Sequence, residues 1–148
     1  MARYLYGGRT EQAKAAIRRE SDAKVLREEQ HWRGAMYLLG YVVECKIKCC
    51  LMDKYRAFSL EQLERKVAER FGDGIRSIEV KTHKIVALFD LLGKDLLGRM
   101  DPETRRAYHR CSRWRTDWRY DPDQGNETEC ASFFEDAKRF LTFISRNS

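Results

Sequence analysis

Arginine and aromatic side chains crowd one short part of this chain. From Trp114 to Tyr120 the sequence reads WRTDWRY, with Arg113 just ahead and DPDQGNETE just behind. A guanidinium fork matches phosphate oxygens, and aromatic rings stack on bases. Arg113, Arg115, Arg119 and Tyr120 are therefore candidate phosphate or nucleic-acid contacts. Trp114 and Trp118 either stack on a ligand or plug one end of the fold. A second pair, Glu44 and Lys48, sits four residues apart among valine, cysteine and isoleucine. On a solvated helix such a pair adds only about 0.2–0.5 kcal/mol. Sunk in a core, each charge needs its partner. The pair reads as a structural ion pair or as the polar floor of a ligand cleft.

Three histidines, His31, His83 and His109, are the available imidazoles. His83 opens a helical pattern between Lys81 and Lys84, where it either caps and packs or moves a proton. His31 and His109 stand among charged residues, as on solvated faces. There is no Ser/His/Asp set, HExxH or glycine-rich phosphate loop, and the carboxylates are interspersed with bases. That pattern does not support a metal-dependent nuclease. Five cysteines (45, 49, 50, 111 and 130) carry no CxxC spacing, and the HxC at 109–111 lacks a matching pair. They read as structural thiols, with no metal and no cofactor expected.

The elements that must position these residues are helical. No segment sustains period-two alternation, whereas apolar residues recur at helical spacing throughout. Thr10 is positioned to cap a first helix with Ala13, Ala16 and Ile17 inward. SDAKVL through MDKY reads as one long helix or as a continuation of the first. One apolar stripe on it is Trp32, Met36, Leu39, Val43, Ile47 and Cys50, and a second is Ala35, Leu38, Val42, Cys45, Cys49 and Met52. A rod apolar on two faces belongs at the centre of a bundle. Gly34 and Gly40 on that rod suggest close approach of another backbone. Ser59 and Gln62 form a capping box, and FGDG at 71–74 ends the helix it starts. Thr82 opens HKIVALFDLLGKDLLG, with Ile85, Leu88, Leu92 and Leu96 inward. Asp101-Pro102 is a cap followed by proline at the first helical position. Asn126 with Glu129 starts a last helix whose inner face is Phe133, Ala137, Phe140, Leu141 and Ile144. The expected architecture is a single all-α domain over residues 1–148, an up-and-down bundle of four to five helices.

At 148 residues the chain is long enough to bury a sizeable core, and hydrophobic (43%) and charged (35%) residues stand in globular proportion. Net charge is +6. Seven arginines lie between Arg99 and Tyr120 against three acids, while six acids lie beyond against three bases. Phosphate or an acidic partner is thereby permitted. The N-terminus lacks the apolar core of a signal peptide, and the run GAMYLLGYVV is too short to span a bilayer. No membrane association is expected, and the expected location is cytoplasmic.

SDAKVL, RGAMYLLGYVVECKIKC, THKIVALFDLL, WRTDWRY and the aromatic last helix together resemble the HEPN domain family, from about Asp22 to Ile144. The most specific pieces are GAxYLxGYxxExxxK (Gly34 to Lys48), the His83 helix start, and Trp114 with Arg119-Tyr120. The resemblance implies a helical bundle, commonly a symmetric homodimer. Many members are metal-independent ribonucleases acting as toxins beside a minimal nucleotidyltransferase antitoxin. Others are silent and bind RNA, nucleotides or protein partners. Active members use an arginine, four to six intervening residues and a histidine. Arg119 matches the arginine by position, but Gln124, Gly125 and Asn126 stand where the histidine would be. An Arg76-x6-His83 spacing also occurs, ahead of a different helix. The expected function is binding of RNA, nucleotide phosphate or a nucleotidyltransferase partner without cleavage, with no imidazole in proton-transfer reach of Arg119. The alternatives are a ribonuclease using His83 or His109 as a displaced histidine, and a purely structural interaction module.

Overall fold

The computed structural model describes residues 6–71, 80 and 82–148. Seven α-helices and one 3-10 turn form among these residues, and no strand beyond an isolated bridge between Gly8 and Ser59. All-α architecture is thus as expected, with more helices than the four to five anticipated. The difference comes from two breaks. The first falls between α1 (Arg9–Glu28) and α2 (Trp32–Lys54), where Gln30 takes a left-handed φ of 64°. SDAKVLRE therefore completes the first helix rather than opening the second. The short turn folds α1 back along α2 as an antiparallel hairpin.

The second break splits HKIVALFDLLGKDLLG into α4 (Ile85–Leu92) and α5 (Asp95–Arg99). Gly93 adopts φ 136°, a conformation that L side chains rarely adopt, and the helix cannot run through it. Lys84 rather than Thr82 is the N-cap of α4; the Thr82 hydroxyl, two residues earlier, accepts the Lys84 amide at 3.1 Å. At the start of α1, Gly8 is the N-cap and Thr10 already lies inside the helix.

Other local signals act as their chemistry predicts. Ser59 Oγ accepts the Gln62 amide at 3.1 Å, and Gln62 reaches back to the Phe58 amide at 2.9 Å, starting α3 (Leu60–Phe71). The FGDG stop falls mostly outside the described residues. Asp101 accepts the Thr104 amide at 2.7 Å with Pro102 at the first position of α6 (Pro102–Cys111). Asn126 accepts the Glu129 amide at 2.8 Å to start α7 (Glu127–Asn147).

α2 is the axis of the bundle. α1, α3, α4, α7 and the 3-10 turn Thr116–Tyr120 all pack on it, and α6 lies against α7. Met36, Leu39, Val43 and Ile47 from one stripe and Ala35, Val42 and Met52 from the other are fully buried. On α1 the small residues Ala16 and Ala23 face the core, while Ile17, expected inward, is exposed. A seven-residue alanine spacing lets α1 approach α2 closely, and Ile17, one position on, turns about 100° away.

Candidate functional site

One strip of α2 assembles the site. Tyr37, Tyr41, Glu44 and Lys48 follow steps of four, three and four, which places them on one helical face. At its lower end Glu44 and Lys48 are each only 4% exposed and bond through Lys48 Nζ to Glu44 Oε2 at 3.2 Å. The second carboxylate oxygen, Oε1, meets His83 Nδ1 at 2.5 Å. A carboxylate accepts, so Nδ1 donates and Nε2 is left as the ring's free nitrogen. The His83 side chain is half exposed, in contrast to its two buried partners. The pair is therefore a buried ion pair and also the base on which an imidazole is oriented.

Above it comes an aromatic layer. Tyr41 packs edge-on against His83, with centroids 5.8 Å apart, and edge-on against Trp114 at 4.9 Å. The Tyr37 and Tyr41 hydroxyls are 3.1 Å apart. Burial raises the Tyr41 pKa well above its usual value, and the Tyr37 hydrogen bond adds to this, so its proton stays on at neutral pH. Trp114 is 3% exposed and donates Nε1–H to the Tyr37 carbonyl at 3.1 Å. Its indole fills the gap left at Gly40, where a Cβ would stand 2.0 Å from Nε1. Close approach at Gly40 is thus real, but the neighbour is a side chain rather than another backbone. Gly34 has only Leu26 near it.

Arg119 sits at the mouth of this layer. Its guanidinium lies over the Tyr120 ring, 4.7 Å from the centroid. Its pKa is raised by the Tyr120 hydroxyl first and then by that of Tyr37, and it acts in turn on the Tyr41 hydroxyl. No carboxylate pairs with it among the described residues. Tyr120 itself is 73% exposed. Arg113 is exposed where the chain leaves α6, and Arg115 is exposed but paired with Asp117 at 3.1 Å.

His83 comes from the chain ahead of α4 and packs on Tyr41, on whose hydroxyl the Arg119 charge also acts. His109 is exposed on α6 with its ring against Tyr108 at 5.2 Å. Arg76 lies outside the described residues. Two tyrosines, 37 and 41, belong to the site although only their place in the quoted motif pointed to them.

Arg33 was not singled out in the sequence at all, yet it explains the acids behind WRTDWRY. It contacts Asp121 at 3.6 Å and Glu129 at 3.4 Å, donates Nε–H to the Asp123 carbonyl at 3.1 Å, and lies 5.2 Å over the Trp118 ring. Trp118 packs in turn on Phe133. Two further bonds, from the Asp123 amide to Asp121 Oδ1 and from the Gly125 amide to Asp123 Oδ1, close the loop at 2.9 Å each. The tryptophans and acids are structural, and they hold Arg119 and Tyr120 outward.

Two open clefts lie elsewhere, along the α6–α7 groove on either side of the Arg139–Glu103 bridge. Two ion pairs cross that groove, Arg139–Glu103 and Arg110–Asp136, the latter holding the buried carboxylate through two bonds of 2.7 Å. Among the described residues no helix is long and apolar enough to cross a membrane. No protein-family model matches the chain, and neither does any curated protein or solved structure.

Proposed function

We propose that this chain is an HEPN-like helical protein that binds RNA or nucleotide phosphate at the Tyr37–Tyr41–Arg119–Tyr120 face without cleaving it. The observation that carries the reading is Arg119: an exposed guanidinium lying 4.7 Å over the Tyr120 ring, with no carboxylate pairing it among the described residues. The Tyr37 and Tyr41 hydroxyls offer neutral hydrogen bonds to a phosphate without competing for the cation, and Tyr120 offers its ring. Arg113 extends the positive field on the same connection. The homodimer and the minimal nucleotidyltransferase partner belong to this reading through the resemblance alone. Anisotropy titration of a labelled single-stranded RNA and of a labelled nucleotide across salt concentrations tests it. Affinity falls with salt, and Arg119→Ala weakens binding and lowers the salt slope by about one phosphate contact. Salt-independent binding, or binding of neither ligand, overturns it.

A second reading, metal-independent ribonuclease, is favoured by one observation, the His83–Glu44 contact. A carboxylate on Nδ1 fixes the tautomer that leaves Nε2 free to accept a proton. Incubation with labelled RNA and chelator distinguishes the readings. Chelator-resistant cleavage that is lost in His83→Ala and kept in His109→Ala supports the second; no cleavage eliminates it.

A further inference from the structure

We infer that Tyr120 is a stacking platform for a single nucleobase, so that the ligand of this face is an unpaired nucleotide unit rather than a bare anion or a duplex. The inference rests on the phosphate-binding reading of Arg119 and specifies what else that site holds. An aromatic ring has two faces, and in Tyr120 one of them is covered by the Arg119 guanidinium at 4.7 Å. With 73% of the residue exposed, the rest of the ring faces solvent. A guanidinium on one side polarises the ring and fixes its orientation, and the open side offers an apolar, planar surface of nucleobase dimensions. The adjacent cation supplies the phosphate contact. Base and phosphate recognition thus stand on consecutive residues of one 3-10 turn.

The platform is built in advance, which separates it from an ordinary exposed tyrosine. The backbone on both sides of Arg119 and Tyr120 is pinned. Trp118 is wedged between Arg33 and Phe133, and the Asp121 amide donates to the Trp118 carbonyl at 3.1 Å. The Arg33 amide donates to the Gln124 carbonyl at 3.0 Å. Little ordering remains to be done when a ligand arrives, so the stacking energy appears in the affinity. A duplex hides its base faces within its own stack, and a polyphosphate has none. Both must do without this contact.

Three ligands test the assignment: a single-stranded oligoadenylate, a duplex RNA of the same length, and inorganic polyphosphate. Each is titrated against wild type, Tyr120→Ala, Tyr120→Phe and Arg119→Ala, with circular dichroism to verify folding. One stacked base contributes about 5- to 160-fold in affinity. Tyr120→Ala is expected to weaken the single strand by that range and leave polyphosphate within about twofold, whereas Tyr120→Phe, which keeps the ring, stays within about twofold on both. Arg119→Ala weakens both ligands. Equal loss of polyphosphate binding in Tyr120→Ala, an unchanged single-strand affinity, or a duplex bound as tightly as the single strand overturns the platform while leaving the Arg119 reading intact. Binding of none of the three ligands removes the phosphate reading itself, and the platform with it.

Discussion

Gly40→Ala puts the geometry of the site at risk with a single methyl group. On a bare helix this change is favourable by about 1 kcal/mol, because glycine is the poorer helix former. Here the added Cβ would lie 2.0, 2.1 and 2.2 Å from Nε1, Cε2 and Cδ1 of Trp114. Carbon atoms in contact prefer about 3.5–4.0 Å, so the indole must retreat by about 1.5 Å. It is only 3% exposed and is held by Tyr41 on one side and by its bond to the Tyr37 carbonyl. Overpacking of this kind costs about 1–3 kcal/mol. Loss of the indole hydrogen bond without solvent to replace it adds about 1–3 kcal/mol. Subtracting the helix gain leaves a net destabilisation of about 1–5 kcal/mol. At about 3 °C per kcal/mol for a chain of this size, the melting temperature falls by roughly 3–15 °C. Differential scanning calorimetry measures it, with tryptophan fluorescence reporting the ring. Gly34→Ala is the control on the same helix. There the new Cβ meets only Leu26 Cδ1 at 3.5 Å, an ordinary contact, and the variant is expected to be as stable as wild type or up to about 1 kcal/mol more stable. A Gly40→Ala protein that melts at or above the wild-type temperature refutes the argument that Trp114 fills this gap.

Lys48→Met leaves Glu44 buried with only His83 as a partner, and the expected cost is about 3–5 kcal/mol in urea unfolding. The double variant Glu44→Leu/Lys48→Met is expected to recover at least about 2 kcal/mol of this, so additive costs would show that the two charges are not coupled. Burial pushes the Cys111 thiol up to about 12 and the Cys45 thiol up to about 11, against the ordinary 9.0. Above pH 9 the unfolded chain gives up these protons before the folded one does, so their contribution to stability is present below pH 9 and declines as pH rises towards 12. Urea unfolding at pH 8 and pH 10.5 under reducing conditions should show a smaller alkaline loss for Cys111→Ala than for wild type, and equal losses would contradict the burial argument. Partly exposed Cys50 should be alkylated before Cys111 and Cys130 in the native protein, as peptide mass spectrometry can time.

The parts of the fold that were legible in the sequence are those set by neighbouring residues. Asp101-Pro102 and Asn126-x-x-Glu129 carry their caps within one turn, and both helices start where those residues require. The stripes of α2 were legible because a central helix must be apolar on two sides. Breaks were harder. Gln30 turns left-handed with no glycine to announce it, because the reward lies in packing α1 back along α2. Gly93 was visible as a glycine, but a continuous apolar face from Ile85 to Leu96 outweighed it. The site was only half legible. Arg119 and the Glu44–Lys48 pair stood out by type, whereas Tyr37 and Tyr41 stood only as letters of the quoted motif. The meeting of His83 with Glu44 spans 39 positions and depends on how α4 enters against α2, which no local pattern encodes. Arg33 was hidden for the same reason, since its partners lie about ninety residues away, in the loop before α7 and in that helix's first turn.

The charge asymmetry of the chain takes on a physical meaning once these contacts are traced. Arginines precede Asp121 and acids follow it, and in an unfolded chain they would neutralise one another. The fold diverts them. Asp117 pairs with Arg115, Asp121 and Glu129 pair with Arg33, and Asp123 is tied to a loop amide. On the α2 side, Glu44 is already shared between Lys48 and His83. Asp117, Asp121, Asp123 and Glu129, the acids nearest Arg119 in the sequence apart from Glu127, are thereby engaged elsewhere. A folded chain keeps a cation unpaired at a rigid, aromatic surface only when its neighbours are satisfied elsewhere, since a nearby free carboxylate would gain charge-assisted hydrogen bonds by collapsing onto it. Arg119 remains open because Arg33, a residue with no chemistry of its own to perform, competes successfully for the acids next to it.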